Sequence, residues 1–189
     1  MNRFRLLIYL ALIFTNYMYA QKIKKLELYF EPNEFRFERI DSVTHVYSDR
    51  YDVFFDLDTL NPALPYILFN ILLDDSMDYN DYTFTYSEVD YLNDVIITNN
   101  QIEQPTSANS ISNYFNITTD FASIYPKHIV ELLGKYTLGV NTIVTLKVSP
   151  FKYYPKDKKL NIVDSLHITI FQKPFEASIK KAIIDYIKQ

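Results

Sequence analysis

The sequence has no cysteine, no tryptophan and only two glycines in 189 residues. Each shortage closes off chemistry. Without cysteine there is no disulfide, no thiolate nucleophile and no Cys-ligated zinc or iron–sulfur site. Gly134 and Gly139 alone cannot build a phosphate-cradling loop or a dinucleotide fingerprint. Positive charge is also sparse: 19 Lys+Arg stand against 23 Asp+Glu, a net charge of −4. The basic clusters are short, Lys22, Lys24, Lys25 and Lys156, Lys158, Lys159. They read as solvated faces and turns, so nucleic-acid binding is not the expected role. What is plentiful is aromatic: 17 Tyr and 14 Phe in a chain that is 48% hydrophobic. Such a chain can bury a sizeable core, and its length suits one domain.

The first twenty residues form a separate unit. Arg3 and Arg5 precede the apolar run from Leu6 to Phe14, and Ala20 closes the segment. This is the pattern of a secretory signal peptide over residues 1–20. The run is too short to span a bilayer comfortably, and no cysteine near residue 20 offers a lipid anchor. Loss of Arg3 and Arg5 takes the charge from −4 to −6. The expected product is exported to the periplasm, the outer surface or the medium. It has no membrane span and no disulfides, so its core alone must hold it.

The remaining chain alternates with period two, which predicts strands. Leu26, Leu28 and Phe30 share one face of Lys22–Phe30, with Lys25, Glu27 and Tyr29 opposite. Pro32–Asn33 predicts a tight turn before a strand over Glu34–Ile40. Tyr82, Phe84 and Tyr86 alternate with Thr83, Thr85 and Ser87. Val144, Leu146 and Val148 alternate with Thr145, Lys147 and Ser149. Leu160 to Ile170 continues the pattern, and the last two strands predict a long hairpin with its tip at Tyr154–Lys159. The apolar run Leu64–Leu73 suits a buried central strand. Asp74–Asp81 predicts an acidic loop, and Asn99–Ser112 a loop or linker. Pro126–Gly134 predicts a short helical turn. In Phe175–Gln189, Ile179, Ile183, Tyr186 and Ile187 make a stripe that predicts an amphipathic helix. The expected fold is mainly β, an antiparallel two-sheet, jelly-roll-like sandwich over residues 21–172. A helical tail over 173–189 follows it.

No catalytic constellation stands out. His45, His128 and His167 share no metal-ligand spacing, and there is no G-x-S-x-G turn. Asp74, Ser76, Asp78 and Asn80 put oxygens at alternate positions, as calcium loops do, but Tyr79 stands where such a loop needs glycine. A solvated turn is the simpler reading. Acidic pairs for glycoside hydrolysis are not singled out. The expected cofactor is none. Four Asp–Ser/Thr–apolar triplets, centred on Ser42, Thr59, Ser76 and Ser165, resemble the O-glycosylation triplet of exported Bacteroidota proteins. Asn116-Ile117-Thr118 is a formal N-glycosylation sequon.

Several short motifs together carry a resemblance. They are Pro62, Leu64 and Pro65 opening the apolar strand, and Asp94-Val95-Ile96-Ile97 with Gln101 and Pro105. Tyr125-Pro126 and Gly139 follow, and then Val144 to Pro155 with Pro150, Phe151, Tyr153 and Pro155, returning at Leu160. Over residues 60–170 this resembles the propeptide of gingipain-type secreted cysteine peptidases. The resemblance implies a non-catalytic β-sandwich that binds, inhibits or chaperones a secreted cysteine peptidase. The sequence departs from the family at Asn61, where the motif has glycine, and it carries no catalytic domain. The basic residues toward the end, Lys173, Lys180, Lys181 and Lys188, are speculative contacts to such a partner. Two alternatives stand beside this reading: a cell-envelope or glycan-contacting sandwich, and a truncated precursor without activity.

Overall fold

The computed structural model describes residues 22–40, 43–56, 61–99 and 121–174. The segment expected to be a signal peptide, Ser42, Thr59, most of the 99–112 stretch, the sequon at Asn116 and the 175–189 segment lie outside the described residues. Among the described residues ten strands run in chain order: β1 (Lys22–Tyr29), β2 (Phe35–Ile40), β3 (Val43–Ser48), β4 (Val53–Phe55), β5 (Pro65–Leu72), β6 (Met77–Leu92), β7 (Val130–Leu138), β8 (Asn141–Val148), β9 (Phe151–Tyr154) and β10 (Lys159–Pro174). The first sheet has the order β1-β10-β6, with β9 also on β10. The second has the order β4-β5-β8-β7, and β2 and β3 form a separate two-stranded ribbon. Every pairing is antiparallel.

The two-sheet sandwich follows from the alternation. In β8, Thr142, Val144, Leu146 and Val148 are buried, while Asn141, Ile143, Thr145 and Lys147 point outward. In β10, Leu166, Ile168 and Ile170 face inward. They stand opposite Leu28, Leu26 and Lys24 of β1 and opposite Tyr86, Phe84 and Tyr82 of β6. Both inner faces meet in one core cluster. Burying one such aliphatic side chain stabilises by about 1.5–3 kcal/mol. A slip of one residue would turn the whole row to solvent, so the pattern fixes register as well as pairing. Cross-links join the sheets: Lys24 Nζ donates to the Leu72 carbonyl, and Tyr82 Oη donates to the Val130 carbonyl at 3.3 Å. The predicted Pro32–Asn33 turn is a single 3₁₀ turn, Pro32–Glu34.

Four expectations are corrected. The long final hairpin is shortened: only Phe151–Tyr154 pairs with Lys159–Ile162, while β8 belongs to the other sheet. Val148, Ser149, Pro150 and Phe151 are all buried, which breaks the alternation there. Across this break the chain passes from the second sheet to the first. The Pro150 carbonyl accepts from Val163 N at 2.9 Å, and Ser149 N donates to the Ile129 carbonyl at 2.9 Å. The helical turn expected over Pro126–Gly134 is absent: residues 126–129 are irregular, and β7 begins at Val130. A bulge between Leu132 and Gly134 disrupts the period of two there, so the apolar spacing imitates a helix. The acidic loop expected over Asp74–Asp81 ends early, because β6 begins at Met77. Finally, β10 continues to Pro174, so the sandwich does not stop at residue 172.

Gly139 opens the two-residue turn between β7 and β8 at φ +61, where a hairpin needs a residue free to take positive φ. A Cβ there would touch nothing within 4 Å, so the obstacle is backbone strain and not crowding. Gly139→Ala should destabilise by about 1–2 kcal/mol. Urea unfolding would check this through a lower midpoint at an unchanged slope.

Candidate functional site

The motif residues are mostly core. Leu64, Phe151, Tyr153 and Leu160 are almost wholly buried, and Pro62, Pro65 and Pro150 are buried as well. Pro62 bridges to Asn99, and Pro65 opens β5. Pro155 opens a 3₁₀ turn, Pro155–Asp157, at the β9–β10 tip. These residues set the fold and bring one end of the sandwich together.

At that end the segments 95–99 and 121–126 pack beside the β9–β10 hairpin. Tyr125 and Tyr153 exchange both backbone hydrogen bonds, at 3.0 and 2.7 Å. The Tyr153 hydroxyl donates to the Val95 carbonyl at 3.1 Å, and Val95 N donates to the Lys158 carbonyl at 2.8 Å. Burial pushes the Tyr153 phenol up, so it stays a neutral donor. Asn99 and Phe121, at the inner ends of these segments, are both buried. A cavity of about 420 Å³ opens here, lined by Ala122, Ser123, Ile124, Tyr154, Pro155, Lys156 and Asp157.

Two charged networks flank the Tyr125–Tyr153 bridge. In the first, Lys147 Nζ donates to both Asp56 carboxylate oxygens at 2.8 Å, and the Tyr125 hydroxyl donates to the same carboxylate. Glu131 lies 3.8 Å from Lys147, and the ammonium sits 4.6 Å above the Tyr66 ring. Burial pushes the Asp56 carboxyl up. The hydrogen bonds from Lys147 and Tyr125 and the Lys147 charge outweigh it and hold the group below the usual carboxylate range. In the second, Lys152 donates to the Tyr86 hydroxyl at 2.8 Å and lies 3.5 Å from Glu88. Tyr154 donates to Glu88, and Asn161 Nδ2 does so at 3.3 Å. Burial lowers the Lys152 ammonium, but the Tyr86 hydrogen bond and the Glu88 charge raise it overall. Burial first, and then Glu88, push the Tyr154 phenol up. The shifts of Asp56 and Lys152 both favour the charged form. The two networks clamp a loop and a hairpin tip to the sandwich; neither sets an acid and a base around an open space.

The other expected site residues are scattered. Asp74 and Ser76 lie in a turn closed by Met77 N donating to the Asp74 carbonyl at 3.0 Å, while Asp78 and Asn80 are on β6. Asp78 is paired with Lys135 at 2.9 Å, and Asp74 lies 3.7 Å from Lys22. Among the described residues no three His, Asp or Glu side chains gather to hold a metal. Among the described residues no helix is long and apolar enough to cross a membrane. His128 is exposed, and His167 is exposed on the outer face of the first sheet, 3.8 Å from Glu27. Lys173 lies opposite Asp78 in the sheet, and Lys180, Lys181 and Lys188 fall outside the described residues. Ser76 is half-buried in its turn at φ 60, and the Ser165 hydroxyl is bound to that of Ser87 at 2.7 Å. Sequence reading missed Asp56, Lys147, Glu88 and Lys152. The available signal was a lysine at an outward position between apolar neighbours, once in Leu146–Val148 and once in Phe151–Tyr153.

No family model matches the chain, and no curated protein matches it. Solved structures do. A chain of the complex of the pro- and mature domains of RgpB from Porphyromonas gingivalis aligns with a TM-score of 0.50 at 13% identity, covering 85% of this chain and 90% of that one. A structure concerned with the zymogenic latency of gingipain K from the same organism aligns with a TM-score of 0.48 at 12% identity. It covers 79% of this chain and 100% of that one. The likeness to the RgpB chain extends over most of both chains, and it is a likeness of fold.

Proposed function

We propose that this chain is a non-catalytic, exported module that binds a secreted cysteine peptidase, inhibiting it or assisting its folding as a propeptide does. The observation that carries this reading is a coincidence of two facts. The fold matches a chain from a complex of pro- and mature domains, and the motif residues Leu64, Pro150, Phe151, Tyr153 and Leu160 are the ones that hold that fold. The composition agrees: a chain with no cysteine cannot itself supply a thiol nucleophile, but it can cover one. Inhibition in this reading is steric. The sandwich end described above, or the basic segment that follows β10, covers the cleft, with Lys180 or Lys181 offering its charge to an acidic pocket.

The test is inhibition of a secreted cysteine peptidase of the gingipain type by the purified chain. Dose-dependent inhibition at or below micromolar concentration is the expected result. A K180A/K181A pair should weaken it. No binding at micromolar concentration would sink the reading, and an unchanged inhibition constant in the pair would remove the two lysines from it.

A second reading, contact with a glycan, is favoured by the outer face of the first sheet. Exposed Tyr29 stands edge-on to His167 at 6.3 Å there, among Thr83, Thr85 and Thr169. Glycan-array binding without any effect on peptidases would select it.

A further inference from the structure

We propose that the segment 175–189 folds back as an amphipathic helix onto the outer face of the second sheet, beside the β7–β8 turn. The inference stands on the fold and does not depend on a peptidase partner. That face carries large apolar side chains in the open: Leu138 is 76% exposed, Tyr136 65% and Leu72 50%. Leu72, Ile143 and Tyr136 are neighbours across β5, β8 and β7, and Leu138 follows Tyr136 on the same face, opposite Asn141. None of these side chains is charged. A Cβ on Gly134 would lie 3.1–3.3 Å from the Tyr136 ring, so that ring leans over the glycine and flattens the surface. A helix lying on this face asks nothing of the backbone at the bulged β7 edge, because its own hydrogen bonds are internal.

The end of β10 selects the occupant. Its last residue, Pro174, is paired with Met77. Ser76, just before Met77, donates from its N to the Val140 carbonyl at 3.2 Å, and Val140 lies in the turn between β7 and β8. The described chain therefore ends in the first sheet directly across from the Leu138 end of the patch. Stacked sheets lie about 10 Å apart, a gap that Phe175, Glu176 and Ala177 span at about 3.3 Å each. Ser178 then stands at a capping position, and Ile179, Ile183, Tyr186 and Ile187 form the apolar stripe. From Ile179 to Ile187 a helix rises about 12 Å, and from Leu138 to Gly134 the strand runs about 14 Å. Each side lacks a partner without the other, since so short a helix is marginal until its stripe is docked. The first sheet offers it no apolar match, because Thr83, Thr85, Ser87, Ser165, His167 and Thr169 line the middle of its outer face. Tethering favours the segment over any diffusing partner: an attached stripe acts at an effective concentration on the order of millimolar. Charge agrees, because Lys180, Lys181 and Lys188 outnumber Glu176 and Asp185 in a chain of net charge −4. With the stripe docked, Lys181, Asp185 and Lys188 face outward.

The test uses the full chain as its host makes it. In the isotope-labelled protein, nuclear Overhauser contacts should join the Ile179 or Ile183 methyl groups to the Tyr136 ring or the Leu138 methyl groups. A chain in which no such contact joins Ile179, Ile183 or Ile187 to Leu72, Tyr136 or Leu138 overturns the proposal. Paired cysteines give an independent reading, because the chain has no other thiol. Asn141→Cys with Ala182→Cys leaves the apolar contacts in place. Mild oxidation should close a disulfide within one chain about tenfold faster than in a control pair, Thr85→Cys with Ala182→Cys, on the outer face of the first sheet. Adding Leu138→Glu should remove that advantage. Equal rates in the two pairs, links formed only between chains, or a rate that Leu138→Glu leaves unchanged would each overturn the proposal.

Discussion

Replacing Phe151 with alanine should lower stability by about 3–5 kcal/mol, a large share of what a domain of this size possesses. Phe151 is wholly buried at the first residue of β9, just after the chain has crossed between sheets. Its ring stands edge-on to Phe35 at 4.7 Å and to Phe37 at 5.5 Å, and both belong to the β2–β3 ribbon. Phe35 in turn lies 6.4 Å from Phe30 and 6.0 Å from Tyr51. One ring therefore couples the ribbon, the first sheet and the crossover. Its loss leaves a cavity whose walls come from three elements that cannot close together. The ring contacts add about 0.5–1.5 kcal/mol per pair beyond area burial, which places the effect toward the upper end of the range. Urea unfolding followed by tyrosine fluorescence measures it. A loss below about 1 kcal/mol would mean that the ribbon does not depend on this ring.

The second large effect is electrostatic. Lys147→Met should destabilise by about 2–3 kcal/mol at neutral pH. The lysine side chain is only 12% exposed and its partner Asp56 24%, so removing the cation takes two hydrogen bonds and a positive charge away from a largely desolvated carboxylate. The stem of methionine keeps the packing on Tyr66, so the loss is chiefly one of charge. The pH dependence has a definite sign. Asp56 has its folded-state pKa held below the unfolded value, so its interactions stabilise the fold above the unfolded pKa of about 3.9. That contribution is lost as pH falls through the folded value. The gap between wild type and Lys147→Met should thus be full at pH 6–7 and shrink as pH drops below about 4. A gap that is constant with pH would assign the effect to packing and not to the ion pair.

Much of this fold can be read from the residues in order. The strands β1, β8 and β10 declare themselves, because inward Leu, Ile and Val alternate with outward Lys, Thr, His and Asn over eight residues or more. Pro32 and Gly139 mark turns for conformational reasons that hold whatever surrounds them. The failures have a common source. Around Leu132–Gly134 a bulge adds a residue, and at Val148–Phe151 four successive residues are buried because the chain changes sheets. In both places the local period no longer reports the local geometry. The density of acids over Asp74–Asp81 predicts a loop, yet Asp78 lies on β6 and meets Lys135, 57 positions away. The same distance hides the two networks: Asp56 and Lys147 are 91 positions apart, and Lys152 and Tyr86 are 66. Alternation tells that Lys147 points outward. Only the pairing of β4, β5 and β8 tells what waits for it there.

The place of β10 has a consequence in time. It is the middle strand of the first sheet: β1 and β9 lie against one side of it and β6 against the other. Lys22 is paired with Gln172, so the earliest described strand finds its neighbour only in the last. Among the described residues, β1 has no strand to bind and the long β6 has no strand beside it until residues 159–174 are present. Contacts that join the two ends of a chain form slowly. An emerging chain therefore leaves this sheet unformed until β10, the last of the described strands, arrives. Closure of the first sheet is thus a late event that waits for the strand at its centre.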